Sequence, residues 1–433
     1  MKLSARTAAP LAVLLLTSLA ACAPEASDNS ASAKDEKTGT LRVWLFQEVS
    51  NKPKEQVVDK TVSAFEKAHA GVKVDVEYIP VETRAQRVKA AFNDPSSAPD
   101  LMEFGNTDTA GYVKDGGLAD VTKDFTDWSQ SKNTDPTARQ SVTVDGRIYG
   151  APYYVGVRAL YYRTDIFKEL GLKPPTTLAE VASDARAIRA ADPSLYGLAV
   201  GGAYTYGALP FVWANGGEIA EGKGGSYSAA IDSPAARKGV TAYTSLFSDD
   251  NCPAAKCAGM TGNDVVTAFA QGKAGMAIGG DFNHQAVEAG SVKGKYAVVP
   301  LPGVRAGSIA PAFAGGNNIG VLKSTEHRTL AVELMESLTS KTAQEEFFHA
   351  MGFLPTFADV RDDIAKQDPY VKPFVQTLGG GTKFVPASAA WSQIDSSLIL
   401  PTMFQEVISG KKSVAAASTE AAQKMNDAFA SAG

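Results

Sequence analysis

Residues 149 to 163 read YGAPYYVGVRALYYR, five tyrosines in fifteen positions, and no other stretch restricts the fold so strongly. Its front half, Gly150-Ala151-Pro152-Tyr153-Tyr154, carries Gly and Pro and cannot be a helix interior. Val155 to Tyr162 is β-branched and aromatic enough for a buried strand. A loop with exposed aromatics is therefore predicted to feed a core strand, and the stretch reads as a crossing point between two halves of the chain. Taken alone, the tyrosines could equally be core and edge residues with satisfied hydroxyls.

The chain opens with Lys2 and Arg6, then an apolar run from Ala8 to Leu19 that is too short to span a membrane permanently. Together with Leu19-Ala20-Ala21-Cys22 it describes a secretory signal over residues 1–21, and the last four residues resemble a bacterial lipobox. The mature chain would then begin at a lipidated Cys22, anchored by lipid. Residues 22–39 are small, polar and charged, and read as a flexible tether. Beyond them the chain is long enough for two lobes of about 150 to 200 residues each. The formal charge of -5, with no dense basic cluster, argues against a nucleic-acid partner. Cys252 and Cys257, in NCPAAKC, are close enough for a local disulfide in an exported protein. A metal site would need more ligands than the four histidines offer nearby, so no metal and no cofactor is expected.

Thr40 to Phe46 is a predicted strand, a helix opens at Pro53, and Val72 to Ile79 alternates as a half-buried second strand. A helix over residues 84–92 and a strand over residues 100–104 follow, so an α/β lobe with a largely parallel sheet is expected. In such sheets ligands lie beyond the carboxyl ends of strands, which directs attention to Gln47 and Glu48 and to Asn106, Thr107 and Asp108. Asn106 and Thr107 could also simply cap the next helix. A hairpin is predicted at residues 144–147, and the second half is more helical. There, strand 274–278 ends in Gly279-Gly280-Asp281-Phe282-Asn283-His284, and Gly315-Gly316-Asn317-Asn318 leads into strand 319–322.

Neither a G-x-S-x-G elbow, an H-E-x-x-H pair, a Walker loop nor a dinucleotide fingerprint occurs, and no local pattern marks an acidic pair for glycoside hydrolysis. The candidate loops instead offer Gln, Asn, Asp, Thr and Glu beside Tyr, Trp and Phe. Amides and carboxylates suit sugar hydroxyls, and aromatic faces suit the C–H patches of a pyranose. Trp44 reads as core, Trp213 divides between core and ligand, and Phe282 and Trp391 lean towards ligand.

The lipobox, TLRVWLF, PDLMEFGNTDTAGYVKDGGLADVT, YGAPYYVGVRALYYRTDIFKELGL, Trp213 to Gly217, KAGMAIGGDFN and GFLPT together resemble the extracellular solute-binding lipoproteins of bacterial carbohydrate ABC importers. LFQEVSNKPKEQVVD and VETRAQRVKAAFNDPSSAPD look most like the actinobacterial N,N'-diacetylchitobiose binders within that family. The resemblance implies an α/β, two-lobed, periplasmic-binding-protein-like type II fold with a hinge and an interlobe ligand cleft. Lobe 1 would comprise 40–152 with 309–355, and lobe 2 153–308 with 356–433. It implies a non-enzymatic monomer, lipid-anchored on the outer face of the cell membrane, that delivers an oligosaccharide to permease subunits whose ATPase is a separate chain. Chitobiose is the first expectation, with cellobiose or maltose-type sugars as alternatives.

Carried onto this sequence, the resemblance assigns ligand contacts to Phe46, Gln47, Glu48, Asn106, Thr107, Asp108, Tyr154, Tyr204 and Tyr206. It adds Trp213, Asp281, Phe282, Asn283, Gly316, Asn317 and Trp391, with Phe282 and Trp391 as ring-stacking residues. Phe46 and Thr107 stand where maltose binders tend to place charged residues.

Overall fold

The β-branched and aromatic run at the start of the globular part forms strand β1 (Gly39–Phe46), and Pro53 opens the helix Lys52–Ala68, which buries Lys54, Val57, Val58 and Phe65. The computed structural model describes residues 34–48, 51–80, 83–223 and 226–432, and Asp35–Gly433 forms one compact unit. The expected signal peptide and Cys22 lie outside the described residues.

The last residues of the expected tether are not free. Asp35 accepts hydrogen bonds from the Thr329 backbone N–H (2.9 Å) and hydroxyl (2.6 Å), at the start of the helix Arg328–Leu338. A carboxylate there meets unpaired N–H groups of a helix N-terminus, which docks the segment.

The strands that follow are β2 (Val72–Ile79), β3 (Leu101–Gly105), β4 (Thr143–Val144), β5 (Arg147–Ile148), β6 (Ala151–Gly156) and β7 (Arg158–Arg163). Next come β8 (Tyr196–Ala199), the hairpin β9 (Ala220–Lys223) and β10 (Ser226–Ala229), β11 (Ala274–Gly280) and β12 (Tyr296–Val299). The last three are β13 (Ala312–Phe313), β14 (Gly315–Val321) and β15 (Thr382–Lys383). A first sheet has the order β2-β1-β3-β14-β6, with β1 parallel to β2 and β3, and β14 antiparallel to both its neighbours. A second has the order β12-β7-β11-β8, in which β11 and β8 are parallel. The predicted hairpin is β4–β5, turned by Asp145 (φ 48°) and Gly146 (φ 76°), both positive as a two-residue turn of this hand requires.

Three expectations need correction. The front half of the crossing stretch is a strand, not a loop, and Tyr153 is 1 % exposed. Pro152 is tolerated because β6 is the edge of its sheet. The expected single strand 155–162 is broken at Val157, with β6 in the first sheet and β7 in the second. Likewise Gly315 to Asn318 does not lead into a strand but belongs to β14, with a register shift between Asn317 and Asn318.

Candidate functional site

Because β1 and β3 run parallel, Phe46 and Gly105 end at the same sheet edge, and β6 brings Tyr154 opposite Asn317 of β14 there. Phe46 is buried and Gln47 is exposed, its N–H donating to Ile79 O at 2.9 Å. Asn106 fastens its loop to β14, its Nδ2 donating to Ala314 O (2.8 Å) and its N–H to Gly316 O (3.0 Å). Thr107 is half-buried beside it. Gly316 (φ 127°) lets β14 run close against Tyr154, where an added Cβ would meet the Tyr154 carbonyl oxygen at 2.1 Å. The Tyr154 ring stacks on Phe353 at 4.1 Å.

Beneath this wall lies an ion cluster that sequence reasoning missed. Lys54 and Glu103 are both fully buried, with Lys54 Nζ 2.8 Å from Glu103 Oε2, 2.8 Å from Phe46 O and 3.2 Å from Glu48 Oε1. Glu103 also accepts from the Phe46 N–H (2.8 Å) and from Asn317 Nδ2 (2.6 Å). Burial works against the Lys54 ammonium, but Glu103 and then Glu48 outweigh it and hold its pKa above the usual value. Burial raises the Glu48 carboxyl, and Lys54 pulls it back. A charged pair with every contact used fixes the ends of β1, β3 and β14 against one another. The available signals were a Glu inside the apolar run LMEFG and a Lys on the apolar face of a helix.

The second wall is built at the corresponding strand ends of the other sheet. After β8 the chain turns through Gly201 and Tyr204 into the helix Thr205–Ala214. A disulfide between Cys252 and Cys257, Cα atoms 6.0 Å apart, lies behind this turn. The 257–260 segment accepts from the Gly202 N–H (3.2 Å, Cys257 O) and the Ala203 N–H (3.1 Å, Met260 O). Tyr204 is 8 % exposed, and its hydroxyl accepts from Arg158 Nε at 2.8 Å. Tyr206 stacks on Phe313 at 4.3 Å. Burial raises its hydroxyl pKa, with the Asp395 carboxylate acting in the same direction. Trp213 sits two turns further along its helix, in the core of the second sheet and away from the strand ends.

At the end of β11, Asp281 is fully buried, with Oδ1 accepting from the Val157 N–H at 2.7 Å and Oδ2 meeting no donor at hydrogen-bond geometry among the described residues. Burial raises its carboxyl to about 7. Asn283 Oδ1 accepts from the Gly280 N–H at 2.7 Å, closing the turn that presents the half-buried Phe282. Trp391, in the helix Ala390–Ser396, is 1 % exposed, with its indole beside the Tyr206 hydroxyl.

The walls touch where Ser392 Oγ donates to Asp108 Oδ1 at 3.3 Å. Burial raises Asp108 to about 6 and raises Asp395 as well, while Arg84 opposes both shifts. Arg84 thus lies electrostatically between carboxylates from the two walls. Beside this contact a groove of about 390 Å³ stays open, lined in part by Asn106, Thr107, Gln140, Tyr227 and Phe384. The structure therefore gathers Phe46, Glu48, Asn106, Thr107, Asp108, Tyr154, Gly316 and Asn317 on one wall. It gathers Tyr204, Tyr206, Asp281, Phe282 and Asn283 on the other, with Trp391 buried behind the contact. Amides, carboxylates and hydroxyls facing aromatic rings can take a polyhydroxylated ring from both sides.

Residues 48–345 match the family described as bacterial extracellular solute-binding protein. The galactooligosaccharide-binding protein of Bacillus subtilis is 31% identical over 341 residues, 76% of each chain. The diacetylchitobiose binding protein DasA of Streptomyces coelicolor is 25% identical over 416 residues, 93% of each chain. Among solved structures, an ABC transporter solute binding protein of Thermotoga lettingae bound with alpha-D-tagatose superimposes with a TM-score of 0.78. It is 25% identical and covers 90% of this chain and all of its own.

Proposed function

Since the chain belongs to the bacterial extracellular solute-binding proteins, we propose that it captures N,N'-diacetylchitobiose outside the membrane and delivers it to the permease of an ABC importer. Its fold is the two-lobed α/β type II fold of periplasmic sugar-binding proteins. The observation that carries the reading is the meeting of two polar and aromatic walls at Val157, where the chain crosses from one sheet to the other. Similarity to DasA along 93% of the chain supports the sugar chosen. The lobes are taken from the sequence division, 40–152 with 309–355 and 153–308 with 356–433, with the first boundary moved from 152 to Val157 because β6 pairs in the first sheet, and they close by a hinge motion around the sugar. The protein acts as a monomer held by lipid at Cys22, its permease serviced by a separate ATPase chain, and it turns over no substrate.

The test is calorimetric and tryptophan-fluorescence titration of the protein lacking residues 1–22 with N,N'-diacetylchitobiose, cellobiose, maltose and a galactooligosaccharide. Binding in the micromolar range or tighter to chitobiose alone is expected, about -8 kcal/mol or better. A response to another sugar only would replace the ligand, and silence with all four would remove the sugar reading.

A further inference from the structure

Arg158 opens β7, one residue past the crossing, and its side chain lies among the rings of the second wall. Its guanidinium carbon is 5.6 Å from the ring centre of Tyr204, 5.5 Å from Tyr206, 5.6 Å from Phe282 and 5.9 Å from Phe313. Nε donates to the Tyr204 hydroxyl at 2.8 Å, which orients the plane of the group. Among the described residues, none accepts a hydrogen bond from its two terminal amino groups and no carboxylate comes within ion-pairing distance.

The acid that faces it is Asp281. One oxygen of that carboxyl is committed to the Val157 N–H, and burial holds its pKa near 7, so it offers Arg158 only part of a charge. A half-buried cation without a firm counter-charge is costly, and the surrounding ring faces offset only some of that cost. Four rings and one hydrogen bond hold the fork in place, leaving its coplanar terminal donors to a further acceptor. Such a fork matches two lone pairs in one plane better than it matches a tetrahedral hydroxyl. Tyr206 and Phe282 are also the rings that the sugar reading places against the ligand.

We infer that Arg158 is a specificity-determining residue of the cleft, reading a planar oxygen acceptor on a hexose ring, an acetamido carbonyl or a carboxylate. It thereby selects N-acylated or acidic sugars over unmodified neutral ones. This rests on the sugar-binding reading, and nothing in the sequence pattern had singled the residue out.

The test compares wild type, Arg158→Met, Arg158→Gln and Arg158→Lys by calorimetric titration with N,N'-diacetylchitobiose, digalacturonic acid and cellobiose. Wild type is expected to prefer one of the first two over cellobiose by at least about tenfold. A preference for diacetylchitobiose identifies the acetamido group, and one for digalacturonic acid the carboxylate. Arg158→Met and Arg158→Gln should bring the preferred sugar to within about threefold of cellobiose, the preferred sugar losing more affinity than cellobiose does. Arg158→Lys should restore part of the preference for a carboxylate but little of that for an acetamido group. Equal losses for all three sugars, or a preference that survives both neutral variants, overturns the inference while the sugar reading stands. If wild type binds no sugar, the reading falls and takes this inference with it.

Discussion

At the residue scale the consequence most open to measurement is the protonation of Asp281. Its folded value of about 7 exceeds the 3.8 of an unfolded carboxyl, because burial disfavours the charged form more than the Val157 N–H favours it. Between those values the native state binds the proton more tightly than the unfolded state. The contribution to stability is therefore fully present below about pH 4 and is lost as pH climbs through 7. Asp281→Asn keeps the acceptor for Val157 and removes the titration. Relative to this variant, wild type should lose on the order of 2 kcal/mol between pH 5 and pH 8, measured by urea unfolding at both values. A difference independent of pH would show that the carboxyl titrates normally. Asp108, raised to about 6, acts with the same sign but is common to both proteins and cancels. The placement of Gln47 and Glu48 after β1, and of residues 106–108 after β3, was legible because it could be read from local pattern. Lys54, Glu103 and Arg158 were not, since their meaning lies in partners 49 residues away, as for Lys54 with Glu103, or in rings from three other segments.

Among the elements, β1, β2 and the helix between them follow from alternation and helical spacing. The break at Val157 does not, because both halves of the stretch have strand composition and only the sheet each joins tells them apart. The turn between β8 and the Thr205–Ala214 helix depends on a different constraint. It leans on the 257–260 segment through two backbone hydrogen bonds, and the Cys252–Cys257 disulfide closes that segment from behind. Both half-cystines are fully buried. Replacing both with alanine should cost about 2 kcal/mol, the chain-entropy expectation for so short a loop. Loosening the turn that carries Tyr204 and Tyr206 should also weaken sugar binding by about tenfold. Denaturant midpoints and titrations on the same preparation separate the two effects. Lost stability with unchanged affinity would mean that the turn holds its shape without the bridge.

For the whole molecule, the order of the sheets could not be read along the chain. The first sheet takes its fourth strand from residues 315–321, after the second sheet is complete, and that antiparallel insertion sets β14 beside β6, the strand that leads into the crossing at Val157. The walls of the cleft meet at Asp108 with Ser392, and Gly111 lies beside the same serine. A Cβ added at Gly111 would lie 3.4 Å from Ser392 Oγ, so cysteines at both positions are within bridging reach. If capture proceeds by opening, sugar entry and closure, an oxidised Gly111→Cys/Ser392→Cys protein is held in the closed arrangement before any sugar arrives. Its radius of gyration by solution scattering should then be that of sugar-loaded wild type. Association should slow by at least about tenfold, because the open form that admits ligand is depleted. Reduction with dithiothreitol should restore both the larger radius and the wild-type rate. An oxidised protein that is compact yet binds as fast as wild type would show that the ligand reaches its walls without the lobes parting, and the hinge would lose its role as the gate.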